Sequence, residues 1–110
     1  MGAVQSLATL ADFDKLVGSG APVLVDFWGP WCKPCKALEP IIAELAAKPD
    51  GGLICATVNV QDAGPLAHAL LVKSLPTLMV YRGGRLLARR IGAIAREKLL
   101  AWVDEALQEA

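Results

Sequence analysis

The stretch VLVDFWGPWCKPC, residues 23–35, joins a run of apolar residues to a pair of cysteines, and it decides the fold. Residues 23–28 are apolar at all positions but one, which is typical of a central parallel strand covered on both faces. Gly29 and Pro30 end this run. Beyond them, apolar residues at i, i+3, i+4 and i+7 predict a helix over residues 32–48, and these are Leu38, Ile41, Ile42 and Leu45.

The helix therefore begins at the cysteines. A cysteine in the first turn of a helix lies near unpaired N–H groups and the positive end of the helix dipole. Both stabilise the reactive thiolate and lower the thiol pKa below its free value of about 8.5. The spacing puts the second sulfur within reach of the first, so one cysteine can attack a target disulfide and the other can resolve the mixed disulfide. Pro34 suits an early helix position and stiffens the link between the two sulfurs.

Two other interpretations of the cysteine pair are weaker. A zinc site needs two further ligands, and only Cys55 and His68 remain, on separate elements and without ligand spacing. We therefore expect no metal ion. A buried, inert pair is disfavoured because aromatic and proline neighbours place both cysteines at the mouth of a helix.

The remaining patterns complete a βαβαβαββα order. Strands are predicted at residues 4–7, 23–28, 53–60, 77–81 and 86–91, and helices at residues 11–17, 32–48, 65–71 and 95–107. Pro40 should kink the long helix, and residues 49–52 should end it. Gly83-Gly84 suits a two-residue hairpin turn. The first half requires parallel strands with right-handed crossovers, and the second half ends in an antiparallel hairpin.

Composition narrows the class of protein. The chain has 110 residues, 55% of them apolar, with 11 basic and 11 acidic side chains. We expect a single domain over residues 1–110, without nucleic-acid or anionic-membrane binding, because no basic stripe is present. The sequence contains neither an apolar stretch long enough to span a bilayer nor a secretory signal. We therefore expect a cytoplasmic location.

Several motifs in order resemble the thioredoxin family: VDFW at residues 25–28, WCKPCK at 31–36, SLPTL at 74–78 and IGA at 91–93. The resemblance covers essentially the whole chain. It implies an α/β thioredoxin fold, a central five-stranded mixed β-sheet flanked by four helices. It also implies a monomer without a cofactor that reduces disulfides in target proteins, forms a Cys32–Cys35 disulfide and is recharged by a thioredoxin reductase.

The resemblance assigns catalytic roles. Cys32 is the nucleophile, Cys35 the resolving thiol, and Asp26 a buried acid that shuttles a proton for Cys35. An Asp with ordinary hydrogen bonds near a strand end is the alternative for Asp26. Many family members place a lysine on the neighbouring strand, where this chain has Thr57. Without that positive charge, Asp26 should be protonated more often.

The resemblance also implies a substrate-docking surface. By residue type alone Pro76 would be a turn or edge residue, but family likeness implies a cis Leu75–Pro76 bond facing the dithiol. The Leu75 backbone would then pair with an extended substrate segment, and Gly92 would let that segment approach closely. The site would be completed by an apolar surface that consists of Trp31, Val60, Leu75 and Ala93. For Trp28, packing and function are both open.

Lys33 replaces the family's usual glycine, and its positive charge favours the Cys32 thiolate and hence a somewhat more oxidising couple. Family members also often have a glycine near Leu71, whose exposure would enlarge the docking surface. Cys55 is interpreted as a buried, inert thiol, and His68 as a polar helix residue. The hairpin arginines are interpreted as solvated guards of an edge strand, namely Arg82, Arg85, Arg89 and Arg90.

Two other functions stay open from sequence alone. An isomerase or oxidant of the same fold is conceivable because of Lys33. An accessory binding module with incidental thiols is the other, although a scaffold has no need for Cys32, Cys35, Asp26 and Pro76 together.

Overall fold

Five strands form one mixed sheet in the order β1-β3-β2-β4-β5. The computed structural model describes residues 3–48 and 53–108. The strands are β1 Gln5–Ser6, β2 Val23–Trp28, β3 Ile54–Asn59, β4 Thr77–Arg82 and β5 Arg85–Ile91. The helices are α1 Leu10–Val17, α2 Lys33–Ala47, α3 Gly64–Ala69 and α4 Arg96–Gln108. The predicted βαβαβαββα order is confirmed.

Strand directions match the expected division of the chain into halves. Strands β1 and β2 both pair in parallel with β3, whereas β4 is antiparallel to both β2 and β5. Gly83 and Gly84 join β4 to β5 with φ angles of 61° and 80°. Positive φ at both central residues is the requirement of a type I′ turn, which glycine meets at no steric cost. The predicted α/β fold with a mixed five-stranded sheet is confirmed.

The apolar core consists of one cluster on each face of the sheet, and the pleat of β2 contributes to both. Val23, Val25 and Phe27 lie in a cluster with buried residues of α1 and α3. Leu24 lies in the other cluster, with buried residues of α2 and α4. Alternation therefore turns Asp26 toward the face that carries α2, the helix that begins at the cysteines.

The observed helices differ from the predicted ones at their ends. Helix α2 starts at Lys33 with Cys32 as its N-cap, and it continues through Pro40 to Ala47. The predicted stop at residues 49–52 lies outside the described residues. Helix α3 ends at Ala69, two residues earlier than expected, because the chain turns into a left-handed conformation at Leu71, where φ is 60°.

Two backbone hydrogen bonds close the end of α3. The Val72 N–H donates to the Ala67 carbonyl at 2.9 Å, and the Leu71 N–H donates to the His68 carbonyl at 3.0 Å. This pattern is a Schellman motif, in which the left-handed position usually holds glycine. Here it holds a leucine that is 66% exposed. A glycine at this position would meet no steric cost.

Arg82 and Arg89 are not simply solvated, which corrects the sequence interpretation for these two residues, whereas Arg85 is exposed. Arg89 donates to the carbonyls of Leu70 at 2.9 Å and Leu71 at 2.7 Å, and so holds the end of α3. Arg82 donates to the Leu107 carbonyl of α4 at 3.0 Å. The Nε atom of Arg90 is buried. Arg82 on β4 and Arg89 on β5 thus tie this hairpin to the ends of two helices.

We expect Leu71→Gly to raise the free energy of unfolding by about 1 kcal/mol, because glycine adopts the left-handed conformation without the steric cost that leucine meets. Urea unfolding of the oxidised protein measures this change. Leu71→Ala is the matched control, because it removes the exposed side chain and keeps the steric cost. A glycine variant no more stable than the alanine variant would contradict this explanation.

Candidate active site

Cys32 and Cys35 form a disulfide at the start of α2, with their Cα atoms 5.3 Å apart. Cys32 is the N-cap residue, and its Sγ accepts a hydrogen bond from the Cys35 N–H at 3.3 Å. In the reduced protein this N–H is placed to stabilise a Cys32 thiolate. Cys32 is 7% exposed and Cys35 is 1% exposed. Cys32, at the helix N-cap, is therefore the more exposed residue of the pair.

A groove of about 640 Å³ opens beside this disulfide. Its walls come from the start of α2, the end of β3 and the loop before β4. The lining residues are Trp31, Cys32, Lys33, Pro34, Val60, Val72, Lys73 and Leu75. Trp31 is 63% exposed and offers a large apolar face to the groove. Of the expected docking residues, the groove brings together Trp31, Val60 and Leu75, and it adds Val72 and Lys73.

The other predicted docking residues lie beside this groove rather than in its lining. The Leu75–Pro76 peptide bond is cis, as expected, and Pro76 is buried. The Gly92 N–H donates to the Pro76 carbonyl at 2.9 Å, which links the two loops. Gly92 has a φ of 96°, and an added Cβ would meet open space. Ala93 next to it is exposed.

Gly29 sets the position of the Trp31 ring. A Cβ atom at Gly29 would lie 2.8 Å from the Trp31 ring and 3.1 Å from the Leu75 side chain. Contacts of 2.8 Å are closer than packed carbon atoms allow. The bare backbone of Gly29 thus lets Trp31 fold back toward Leu75, and both side chains line the groove.

Asp26 is covered by α2 and is only 2% exposed. Burial, with a smaller contribution from the charge of Glu39, raises the pKa of Asp26 from 3.8 to about 7. Its Oδ1 atom has no hydrogen-bond partner among the described residues, so the alternative of an ordinarily hydrogen-bonded Asp does not hold for this oxygen. A cavity of about 290 Å³ adjoins the carboxyl group.

The cavity beside Asp26 holds a second acidic side chain and no basic one among its lining residues. It is lined by Val4, Asp26, Trp28, Glu39, Ile42 and Thr57. Thr57 lies in register with Asp26 on the adjacent strand, as predicted, so the polar neighbour there is neutral. Trp28 is the last residue of β2, is half-buried and lines this cavity. Among the described lining residues, Asp26 and Glu39 are the ionisable pair.

Sequence reasoning missed Glu39. The signal was available, because Glu39 follows Cys35 by four residues and so lies on the same face of α2. A strand residue and a helix residue meet here only through the packing of α2 on β2, which no local pattern specifies.

We expect Glu39→Gln to lower the pKa of Asp26, because a like charge that opposes its ionisation is removed. The main cause of the raised pKa is burial, so the pKa should stay above its ordinary value. The titration of the Asp26 carboxyl carbon, followed by ¹³C NMR, measures the shift. Glu105→Gln, on α4, is the charge-matched control, and an equal shift in both variants would refute a local effect of Glu39.

Cys55 is free and buried, and burial raises its pKa to about 12. This agrees with the interpretation of an inert thiol. In the described part of the chain, His, Cys, Asp and Glu side chains do not gather in groups of three or more suited to a metal ion. Within residues 3–48 and 53–108, no helix is both long and apolar enough to cross a bilayer.

A cysteine pair at a helix N-cap, beside a cis-proline loop on a mixed five-stranded sheet, defines a class of dithiol proteins. The family model for thioredoxin matches residues 4–105. The chain belongs to the thioredoxin family.

Relatives agree with this assignment. The chain is 35% identical over 96 residues to a thioredoxin of Haemophilus influenzae. This match covers 86% of this chain and 90% of that protein. It is 38% identical over 95 residues to the chloroplastic thioredoxin M5 of Oryza sativa subsp. japonica, covering 86% of this chain. The chain spans only 55% of the rice protein's length.

Solved structures show the same fold. The thioredoxin of Malassezia sympodialis superposes with a TM-score of 0.85 at 26% identity, covering 96% of this chain and 92% of that one. Plasmodium falciparum thioredoxin gives a TM-score of 0.82 at 26% identity, covering 93% and 98%. Family membership and the intact cysteine pair together support a thiol–disulfide oxidoreductase.

Proposed function

We propose that this protein reduces disulfide bonds in target proteins through its Cys32–Cys35 dithiol. The Cys32 thiolate attacks one sulfur of the target disulfide, a mixed disulfide forms, and the other target sulfur leaves as a thiolate that takes up a proton. Cys35 then loses its proton and attacks the Cys32 sulfur. The second target thiolate is released, the Cys32–Cys35 disulfide closes, and two electrons have passed to the target.

Asp26 receives the Cys35 proton in this scheme. A carboxyl group whose pKa lies near 7 exchanges protons readily at neutral pH, which suits a general base. Its position on the face of β2 that α2 covers supports this role, because Cys35 is on the first turn of α2. Lys33 and Pro34, which lie between the two cysteines, tune the redox potential of the Cys32–Cys35 couple.

Target segments dock in the groove beside Cys32. Trp31, Val60 and Leu75 supply apolar contact there. The Pro76 and Gly92 loops extend this surface, with Ala93 at its exposed end. An extended segment pairs with the Leu75 backbone in this arrangement.

The proposed cellular setting is a reducing compartment. A thioredoxin reductase restores the dithiol after each reaction. The protein acts in the cytoplasm as a monomer, with one domain over residues 1–110 and without a cofactor. A free cysteine, Cys55, in the same chain as a reducible pair suits a reducing compartment. Fractionation of cells that produce the tagged protein tests the compartment.

The observation that carries the proposal is the position of Cys32, which is the more exposed residue of the pair, forms the N-cap of α2 and lines an apolar groove. Single-turnover mixing of the reduced protein with a native protein disulfide tests it, with target thiols as the readout. We expect two target thiols for each Cys32–Cys35 disulfide formed. A protein that binds the target but forms no thiols would instead be an accessory binding module.

We expect Lys33→Gly to make the Cys32–Cys35 couple more reducing, because removal of a positive charge beside Cys32 destabilises the thiolate. A full pKa unit corresponds to about 30 mV, and exposure of Lys33 reduces the effect to roughly 10 mV. Equilibration with thiol–disulfide buffers measures the potential. Lys33→Gln controls for backbone flexibility, and a more oxidising glycine variant would show that the sign is wrong.

A further inference from the structure

The groove beside the disulfide carries a charge pattern that differs from that of the whole chain. The chain is neutral at pH 7, with 11 basic and 11 acidic residues. Yet the described lining of the groove includes Lys33 and Lys73 and no acidic side chain. Both lysines are exposed. A local excess of two positive charges therefore flanks an apolar floor.

The two lysines are available to a ligand. The ion pairs within the described residues join Arg96 to Glu44 and to Glu97, and neither lysine takes part. Asp62, two residues after Val60, accepts a hydrogen bond from the Asn59 side chain at 3.3 Å and is not among the lining residues. Among the described residues, Lys33 and Lys73 are thus not engaged in ion pairs.

The lysines stand on two different walls. Lys33 is the first residue of α2, next to the attacking Cys32. Lys73 belongs to the loop that follows α3, and this loop is fixed at its start by the Schellman motif and by Arg89, which holds the Leu70 and Leu71 carbonyls. A segment that reaches Cys32 through the groove therefore meets a positive charge on either wall.

We infer that the groove selects target disulfides whose cysteine is flanked by acidic residues, with Lys33 and Lys73 as the specificity-determining residues. This inference rests on the proposed disulfide-reductase function. Exposed charge pairs contribute modestly, so the two lysines together should favour an acidic segment by about three- to tenfold at low salt. Like charges in a basic segment should disfavour it, since complementary charge mainly sets specificity and association rate.

Three peptide disulfides test the inference, identical except that Glu, Gln or Lys flanks the cysteine. The readout is the second-order rate constant for reduction by the reduced protein. It is measured at about 20–50 mM salt, where charges interact over a long distance, and at about 500 mM salt, where they are largely screened. We expect the order Glu, Gln, Lys, with the Glu-to-Gln ratio falling toward one at high salt. The ratio is compared within each variant, so that changes in the reactivity of Cys32 cancel.

The variant K33Q/K73Q should bring the Glu-to-Gln ratio close to one at low salt. The variant K15Q/K98Q removes the same charge from α1 and α4 and should keep the ratio. A wild-type ratio near one, or an equal loss in both double variants, would overturn the inference while leaving the reductase function intact. Failure to reduce even the Gln peptide would count against the reductase function itself and would remove the basis of the inference.

Discussion

Cys35→Ser converts the protein from a catalyst into a trap for its targets. The variant retains the Cys32 thiol and attacks a target disulfide, but no second thiol is present to resolve the mixed disulfide. We expect multiple-turnover reduction to fall to background, with target and protein accumulating as an equimolar covalent complex. Non-reducing electrophoresis and intact mass measure the complex, and added dithiothreitol should release it.

Two matched variants make this result specific. Cys32→Ser should form no complex, because Cys35 is only 1% exposed and cannot reach a bound target. Cys55→Ser should behave as the unaltered protein, because Cys55 is buried and burial raises its pKa to about 12. A complex that forms through Cys35 in the Cys32→Ser variant would reverse the assigned roles of the two thiols.

Asp26→Asn should slow the reaction and stabilise the protein at the same time. The amide cannot take the Cys35 proton, so we expect resolution of the mixed disulfide near neutral pH to slow roughly a hundredfold, within the range of a positioned general base. The rate of the unaltered protein should rise as the pH passes through about 7, where Asp26 ionises. This rise should be absent in the variant.

The gain in stability follows from the raised pKa of Asp26. Between pH 3.8 and about 7 the folded protein holds a proton that the unfolded chain has released, so stability falls as pH rises across this range. The full cost, about 4 kcal/mol, is reached above pH 7. Asp26→Asn should therefore be more stable than the unaltered protein at pH 8, and nearly equal at pH 4.

Urea unfolding of the oxidised proteins at the two pH values measures this difference. Asp104→Asn, on the exposed surface of α4, makes the same change of charge and should alter stability little at either pH. An Asp26→Asn variant with no greater stability at pH 8 would show that the carboxyl group carries no burial cost. Unaltered kinetics would remove Asp26 from the mechanism.

The sequence predicted the fold well because periodicity and chain punctuation are local signals. The apolar run at residues 23–28, the glycine pair at 83–84 and the helical spacing after Cys32 each define an element without reference to the rest of the chain. The cysteine pair was similarly readable, because its chemistry depends on a helix that starts at the pair itself. Motif order, in the form of the family resemblance, supplied the cis bond before Pro76.

What the sequence did not show depends on tertiary packing. Glu39 reaches the Asp26 cavity only because α2 covers β2 at this point. Lys73 joins the groove because a left-handed Leu71 redirects the chain, and Arg89 and Arg82 cap helices far away along the sequence. Each of these contacts joins two elements whose relative placement no short pattern specifies.

The midpoint potential of the Cys32–Cys35 couple tests the proposed function most directly. It is titrated in defined thiol–disulfide buffers, with Cys55 replaced by serine so that only the pair can respond. We predict a reversible intramolecular couple with a potential well below that of the glutathione pool, as a reductant of protein disulfides requires. A potential at or above that pool, or a pair that does not close reversibly, would contradict the assignment of this chain as a disulfide reductant.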